Sequence, residues 1–234
     1  MEWLTRVHWL DRSTIARKAE VIWEDYRATQ GKIPQPPYPV EALIEKHLGL
    51  CLEYDDLEGI LGEPDVLGAT WVTEGRVIIH QGLTEGTEGR IAFTCAHEVG
   101  HWVLHKEFLE KMNSVSLRRG GGRPLVVCRR QDAKLRGEWQ ADYFAACLLM
   151  PEEEISRAFQ QCFGPEPLVI HNRKSCFSST NLPGLKAIDP ALENVKEIAS
   201  WVIEAGKFFN VSKAAMRYRL EDLGLLINKA GMDY

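Results

Sequence analysis

Residues 97–101 read His97-Glu98-Val99-Gly100-His101, and a second helical stretch carries Glu138-Trp139-Gln140-Ala141-Asp142. This pair of segments constrains the chain more than any other feature. Residues four apart on an α-helix lie one turn above each other on the same face, so His97 and His101 can converge on one tetrahedral ion such as zinc. Glu98 is rotated by about a third of a turn from His97, within reach of a water in the open fourth position of such a site. The stretch from Arg90 to His105 has no proline. Its apolar residues Ile91, Phe93, Val99, Trp102, Val103 and Leu104 cover enough of the cylinder to predict a largely buried helix. The plainer reading is a core helix whose histidines pair with backbone or carboxylates. The glutamate directly after the first histidine and the second motif downstream both weigh against it.

Glu138 is the candidate third ligand. Asp132 to Met150 reads as a helix, with Asp132 as N-cap, Leu135, Trp139, Tyr143, Ala146 and Leu149 at helical spacing, and Pro151 as the stop. Glu138 and Asp142 are four apart on it. One carboxylate can bind a metal while the other accepts the remaining ring N–H of a ligand histidine and orients that ring. A solvated acidic face is the ordinary reading of such a pair, but the flank from Tyr143 to Met150 is too apolar for an exposed element. His105 continues the His97/His101 face. It lies about 12 Å from His97 along the helix at ~1.5 Å per residue, whereas ligand atoms stay ~2 Å from a metal, so it is read as a packing or ligand-supporting residue.

Between the two motifs the composition runs against the rest of the chain. From residue 118 to Glu138, Arg118, Arg119, Arg123, Arg129, Arg130, Lys134 and Arg136 face only Asp132 in a protein of formal net charge −5. The concentration suggests attraction to an acidic partner, with Arg118, Arg119 and Arg123 as candidate substrate-binding residues, and the triplet Gly120-Gly121-Gly122 would let the segment fold over a substrate. A solvated surface loop explains the same residues. Cys128, in this segment, is a further candidate to reach an open metal position.

Elsewhere the chain reads as an α+β protein. An N-terminal helix runs to about Thr29, with Ile15, Ala19, Ile22, Trp23 and Tyr26 on one stripe. A proline-rich connector and a short helix near Val40–His47 follow, then strands near Leu50–Tyr54, Ala69–Thr73 and Arg76–His80, the last two joined at Glu74-Gly75. Arg76–His80 is either an edge strand available to an extended peptide or an ordinary packed strand. After a polar stretch, Val195–Phe209 and Lys213–Leu223 form a helix-turn-helix-like pair with Ser212 as N-cap and Gly224 past the end. These boundaries divide the chain into a metal-site domain, residues 1–162, and a C-terminal helical region, residues 163–234. Lys213, Arg217 and Arg219 are offset by Glu221, Asp222 and a sequence pI near 5.8, so packing or substrate docking is favoured over direct DNA binding.

With 234 residues and 45% hydrophobic content the chain can bury a substantial core. Its start is charged and no stretch approaches the ~18 apolar residues of a membrane span, so a cytoplasmic protein without membrane contact is expected. Six cysteines without framework spacing fit reduced thiols.

The segment from Arg90 to His101, followed by Glu138 to Pro151, resembles the ImmA/IrrE family of bacterial metallopeptidases, whose signature is an R-x-x-F-T-x-A-H-E-x-G-H helix and a later E-x-x-A-[ND]-x-F-A-x-x-L-L-M-P helix. Phe209-Asn210-Val211-Ser212, Ala215, Arg219-Leu220 and Leu223-Gly224-Leu225 resemble its C-terminal segment more weakly. The resemblance implies a zincin-like core with a gluzincin-like site: His97, His101 and Glu138 as zinc ligands, Glu98 as general base acting on a zinc-bound water, and Asp142 behind a ligand histidine. Zinc is the implied cofactor, with manganese as an alternative activating metal. Family members cut helix-turn-helix transcriptional repressors and so control mobile elements or stress responses, which makes such a repressor the expected partner. The competing reading is a non-proteolytic regulator that uses the metal site or the C-terminal helices to bind a partner or DNA. An intact Glu98 argues for catalysis, because structural zinc sites are closed by four protein ligands.

Overall fold

The strand Cys51–Asp55 (β1) begins a four-stranded sheet completed by Val66–Trp71 (β2), Arg76–His80 (β3) and Val126–Arg129 (β4), in the order β1-β3-β2-β4. The computed structural model describes residues 2–31, 34–84, 88–116, 126–129, 135–170 and 192–228. β1 runs parallel to β3, while β2 is antiparallel to both β3 and β4. The β2–β3 hairpin pairs Trp71 with Arg76. Its connection turns at Gly75, whose φ of 62° lies in the left-handed region that glycine adopts without steric cost.

Of the two readings of Arg76–His80, the structure bears out the ordinary packed strand. β3 is interior, bonded to β1 on one side and β2 on the other. The physical reason lies in its composition: Val77, Ile78 and Ile79 are all buried, and such an unbroken apolar run suits a strand covered on both faces rather than an alternating edge. The sheet's outer positions belong to β1 and β4. β4 corrects the reading of the segment between the two motifs as loop. Its Val126 and Val127 are β-branched, and it pairs with β2 through a register irregularity between Val66 and Gly68. Cys128 stands opposite Gly68 in that register. Arg118, Arg119, Arg123 and Asp132 lie outside the described residues.

The chain divides into two compact units, Met1–Leu149 and Met150–Tyr234. In the first, the helix Arg12–Gln30 (α1) starts at Asp11, whose carboxylate accepts from the Thr14 N–H at 2.8 Å, and ends at Gly31. The short helix Val40–Ala42 (α2) continues into a wider turn over Leu43–His47, and Leu57–Leu61 (α3) follows β1. Two longer helices carry the motifs: Glu88–Ser116 (α4) and Arg136–Leu149 (α5). α1 buries Ile15, Ala19 and Trp23, and the Trp23 indole donates to the Leu148 carbonyl of α5 at 2.8 Å. Burying each large apolar side chain contributes roughly 1.5–3 kcal/mol, so α1 fixes α5 from behind. α4 meets α5 where Gly100 faces Ala141: a Cβ on Gly100 would sit 3.1 Å from the Ala141 backbone. Cys95 and Cys147 are buried within these two helices.

In the second unit, Glu152–Phe163 (α6) buries Ile155, Ala158, Phe159 and Phe163. Leu192–Gly206 (α7) buries Ile198, Ala199 and Val202, and the Phe163 and Trp201 rings lie 5.8 Å apart. Lys213–Asp222 (α8) is capped by the Ser212 hydroxyl, which accepts from the Ala215 N–H. Arg219 is buried on α8, donating to the Met150 carbonyl and pairing with Asp222 at 3.0 Å. Parallel strands Leu168–Ile170 (β5) and Leu226–Asn228 (β6) close the unit. Among the described residues no helix is long and apolar enough to cross a membrane.

Candidate metal centre

α4 presents His97, His101 and His105 one turn apart, and their rings follow one another along the helix with centroid separations of 4.6 and 5.2 Å. Across the Gly100–Ala141 contact, α5 brings Glu138 against the first two. His97 Nε2 lies 3.2 Å from Glu138 Oε2, His101 Nε2 lies 3.4 Å from Glu138 Oε1, and the two Nε2 atoms are 2.9 Å apart. Each separation is below the ~4.2 Å that two ligand atoms can span when both lie about 2.1 Å from one ion. All three residues are at most 2% exposed, and Glu138 Oε1 has no hydrogen-bond partner. A buried carboxylate with an unsatisfied oxygen is costly unless a cation compensates it, and two imidazoles with one carboxylate form the donor set of a divalent metal such as zinc. The residues therefore fit the ion that the motif implies.

Around this cluster each further group has a defined partner. His97 Nδ1 lies 2.8 Å from Asp142 Oδ1, so the carboxylate one turn after Glu138 stands behind that ring. His101 Nδ1 lies 3.0 Å from His105 Nδ1, and His105 Nε2 lies 2.8 Å from Gln140 Oε1. Gln140 donates to the His8 carbonyl at 2.9 Å, and Arg136 donates to the Val7 carbonyl, tying the N-terminal segment to α5. Next to Glu138, Trp139 stacks on Trp9 with centroids 5.3 Å apart and planes 2° from parallel; Tyr143 continues the stack, with Arg12 over its ring.

Glu98 stands apart from the three converging groups. It is fully buried, its Oε2 accepts a short hydrogen bond from the Thr70 hydroxyl on β2, and its Oε1 has no hydrogen-bond partner. Gly68 makes room for it: a Cβ there would stand 2.6 Å from Glu98 Oε1. Burial pushes the Glu98 carboxyl above its ordinary range against the opposing pull of His101, His97 and the Thr70 hydroxyl. For Glu138 burial also acts upward, but the imidazoles of His101 and His97 at 3.4 and 3.2 Å prevail and hold its carboxyl far below the carboxylate range. Burial pushes His105 down to about 3, so it is a neutral imidazole.

Of the residues singled out from sequence, His97, His101 and Glu138 converge, Asp142 meets His97, and Glu98 is buried on the same helix as the two histidines but turned to Thr70 and Gly68 on β2. His105 is engaged by Gln140 and His101. Sequence reasoning missed Thr70 and Gly68, which sit on a strand distant in the chain from the helix they serve, and the part played by Gln140. The alternation of a small and a hydroxyl residue at Gly68 and Thr70 on one face of β2 was the available signal.

Residues 73–166 match the family model described as Peptidase_M78, IrrE N-terminal-like domain. No match was found among curated proteins. The matched stretch contains both helices that build the cluster, and over it the chain is similar to this peptidase family.

Proposed function

We propose that the protein is a zinc-dependent endopeptidase that cuts a protein substrate, most specifically a transcriptional repressor of the helix-turn-helix type. The observation that carries this reading is Glu98: a buried carboxylate directly after His97 on the ligand-bearing helix, fixed through Oε2 by Thr70 and without a hydrogen-bond partner at Oε1. A purely structural metal site has no use for an acid–base group held in this way.

His97, His101 and Glu138 would hold a divalent cation, which when bound would supply Lewis acidity to a water molecule and to the scissile carbonyl. Glu98 takes the water's proton at Oε1 and later delivers it to the leaving amine, while the Thr70 hydrogen bond keeps the carboxylate from turning away. Asp142 accepts from His97 Nδ1 and so directs Nε2 of that ring at the cation. The basic segment with Arg118, Arg119 and Arg123 captures an acidic substrate, and the helices α7 and α8 form a helix-turn-helix-like docking region.

Incubating the purified protein and zinc with a repressor encoded beside its gene tests the proposal. Glu98→Gln should keep stoichiometric metal and lose cleavage, because the base is not a ligand. His97→Ala, His101→Ala and Glu138→Ala should each lose most of the metal. Cleavage by Glu98→Gln at the wild-type rate would remove the catalytic reading.

A further inference from the structure

We propose that His105 is a positioning residue that fixes the tautomer of His101 through a chain of hydrogen bonds anchored on the His8 carbonyl. The proposal rests on the reading of His101 as a metal ligand.

The direction of every bond follows from its ends. A backbone carbonyl only accepts, so the Gln140 group 2.9 Å from the His8 oxygen must be the amide nitrogen. That orientation turns the Gln140 carbonyl towards His105, where it lies 2.8 Å from Nε2, and Nε2 must therefore carry the proton. At the other end, a cation on His101 Nε2 would leave that ring's one proton on Nδ1, so His105 Nδ1, 3.0 Å away, must accept it. The Nε2 lone pair of His101 is then directed at the position a cation would share with His97 and Glu138, as a ligand's is.

The two histidines of the motif are thus backed differently. His97 leans on Asp142, whose side chain is 40% exposed, while His101 leans on a neutral imidazole inside the core. Chemistry favours this division. Glu98 and Glu138 already place two carboxyl groups in the buried part of the site, and a third behind His101 would add uncompensated charge in a low-dielectric interior. An imidazole supplies the acceptor without the charge. The helix makes this possible because His105 lies one turn beyond His101 and side chains lean towards the N-terminus.

Two measurements test the proposal. Long-range 15N–1H spectra of histidine-labelled wild-type protein with zinc should show His105 protonated at Nε2 and His101 at Nδ1; protonation of His105 at Nδ1 would overturn it. Zinc competition against a chromophoric chelator should show His105→Phe binding about 10- to 100-fold more weakly than wild type, the range expected when a group orienting a ligand histidine is lost. His105→Asn, whose side-chain oxygen can stand where Nδ1 stood, should recover most of that loss. Equal affinity in wild type and His105→Phe would sink the positioning role while leaving the metal site intact. No zinc uptake by the wild type would remove both. If His105→Phe does not fold, the tautomers in the wild type decide the matter.

Discussion

Adding one methyl group at Gly100 should separate metal affinity from fold stability. Gly100 lies between His97 and His101 on α4, and a Cβ there would sit 3.1 Å from both Cα and O of Ala141 and 3.3 Å from Phe144 Cδ1. Carbon contacts settle at about 3.5–4.0 Å, so the two helices must part locally by roughly half an ångström. Backbone atoms cannot swing aside, and Ala141 sits between Glu138 and Asp142. The displacement therefore passes to the groups that meet His97 and His101. Metal ligands tolerate only about ±0.2 Å, and a loss of about 10- to 100-fold in zinc affinity is expected for Gly100→Ala. Stability responds less. Alanine gains about 1 kcal/mol over glycine within a helix, while overpacking costs about 1–3 kcal/mol, so the metal-free protein should lose only about 0–2 kcal/mol. Chelator competition and denaturant unfolding of the metal-free variant measure the two quantities. Wild-type zinc affinity in Gly100→Ala would refute the idea that this close approach sets the ligand geometry.

The strand side of the site makes a complementary prediction. Gly68→Ala should displace Glu98 from Thr70 and lower turnover by about tenfold or more with metal content unchanged, since the base, not a ligand, meets the new methyl; turnover at saturating substrate and metal analysis check it. Asp142→Ala should weaken zinc binding by about 10- to 100-fold without abolishing it, as read by chelator competition. Replacing Arg118, Arg119 and Arg123 with serine should slow association with substrate and flatten the salt dependence of cleavage, leaving metal content unchanged. Cleavage rates at low and high salt distinguish that outcome from a merely solvated loop, for which both proteins share one salt dependence.

How much of this was legible in sequence depended on how local the determinants are. Helical periodicity set the faces of α4 and α5, so His97 with His101, and Glu138 with Asp142, could be paired from spacing alone. The mixed α+β character followed from short β-branched runs beside these helices. The position of β3 did not follow, because a run such as Val77-Ile78-Ile79 specifies burial but not which strands do the burying. β4 was hidden by its arginine-rich surroundings, and its partner β2 lies more than fifty residues earlier. Thr70, Gly68 and Gln140 were missed for the same reason: their contacts to Glu98, His105 and the His8 carbonyl join positions far apart in the chain, and periodicity carries no information across such distances.

The parallel stack of Trp9 on Trp139 gives the molecule its own optical gauge. Trp139 is the neighbour of Glu138, and Trp9 belongs to the segment whose backbone carbonyl anchors Gln140, so one indole rides on the ligand-bearing helix and the other on the chain end that braces it. With the planes 2° from parallel and the centroids 5.3 Å apart, the excited states of the two rings couple. Any event that lifts the N-terminal segment from α5, or turns α5 as a cation arrives, changes that coupling. The ultraviolet circular dichroism and fluorescence of the unlabelled protein therefore report on the bracing of the site, independently of substrate or turnover.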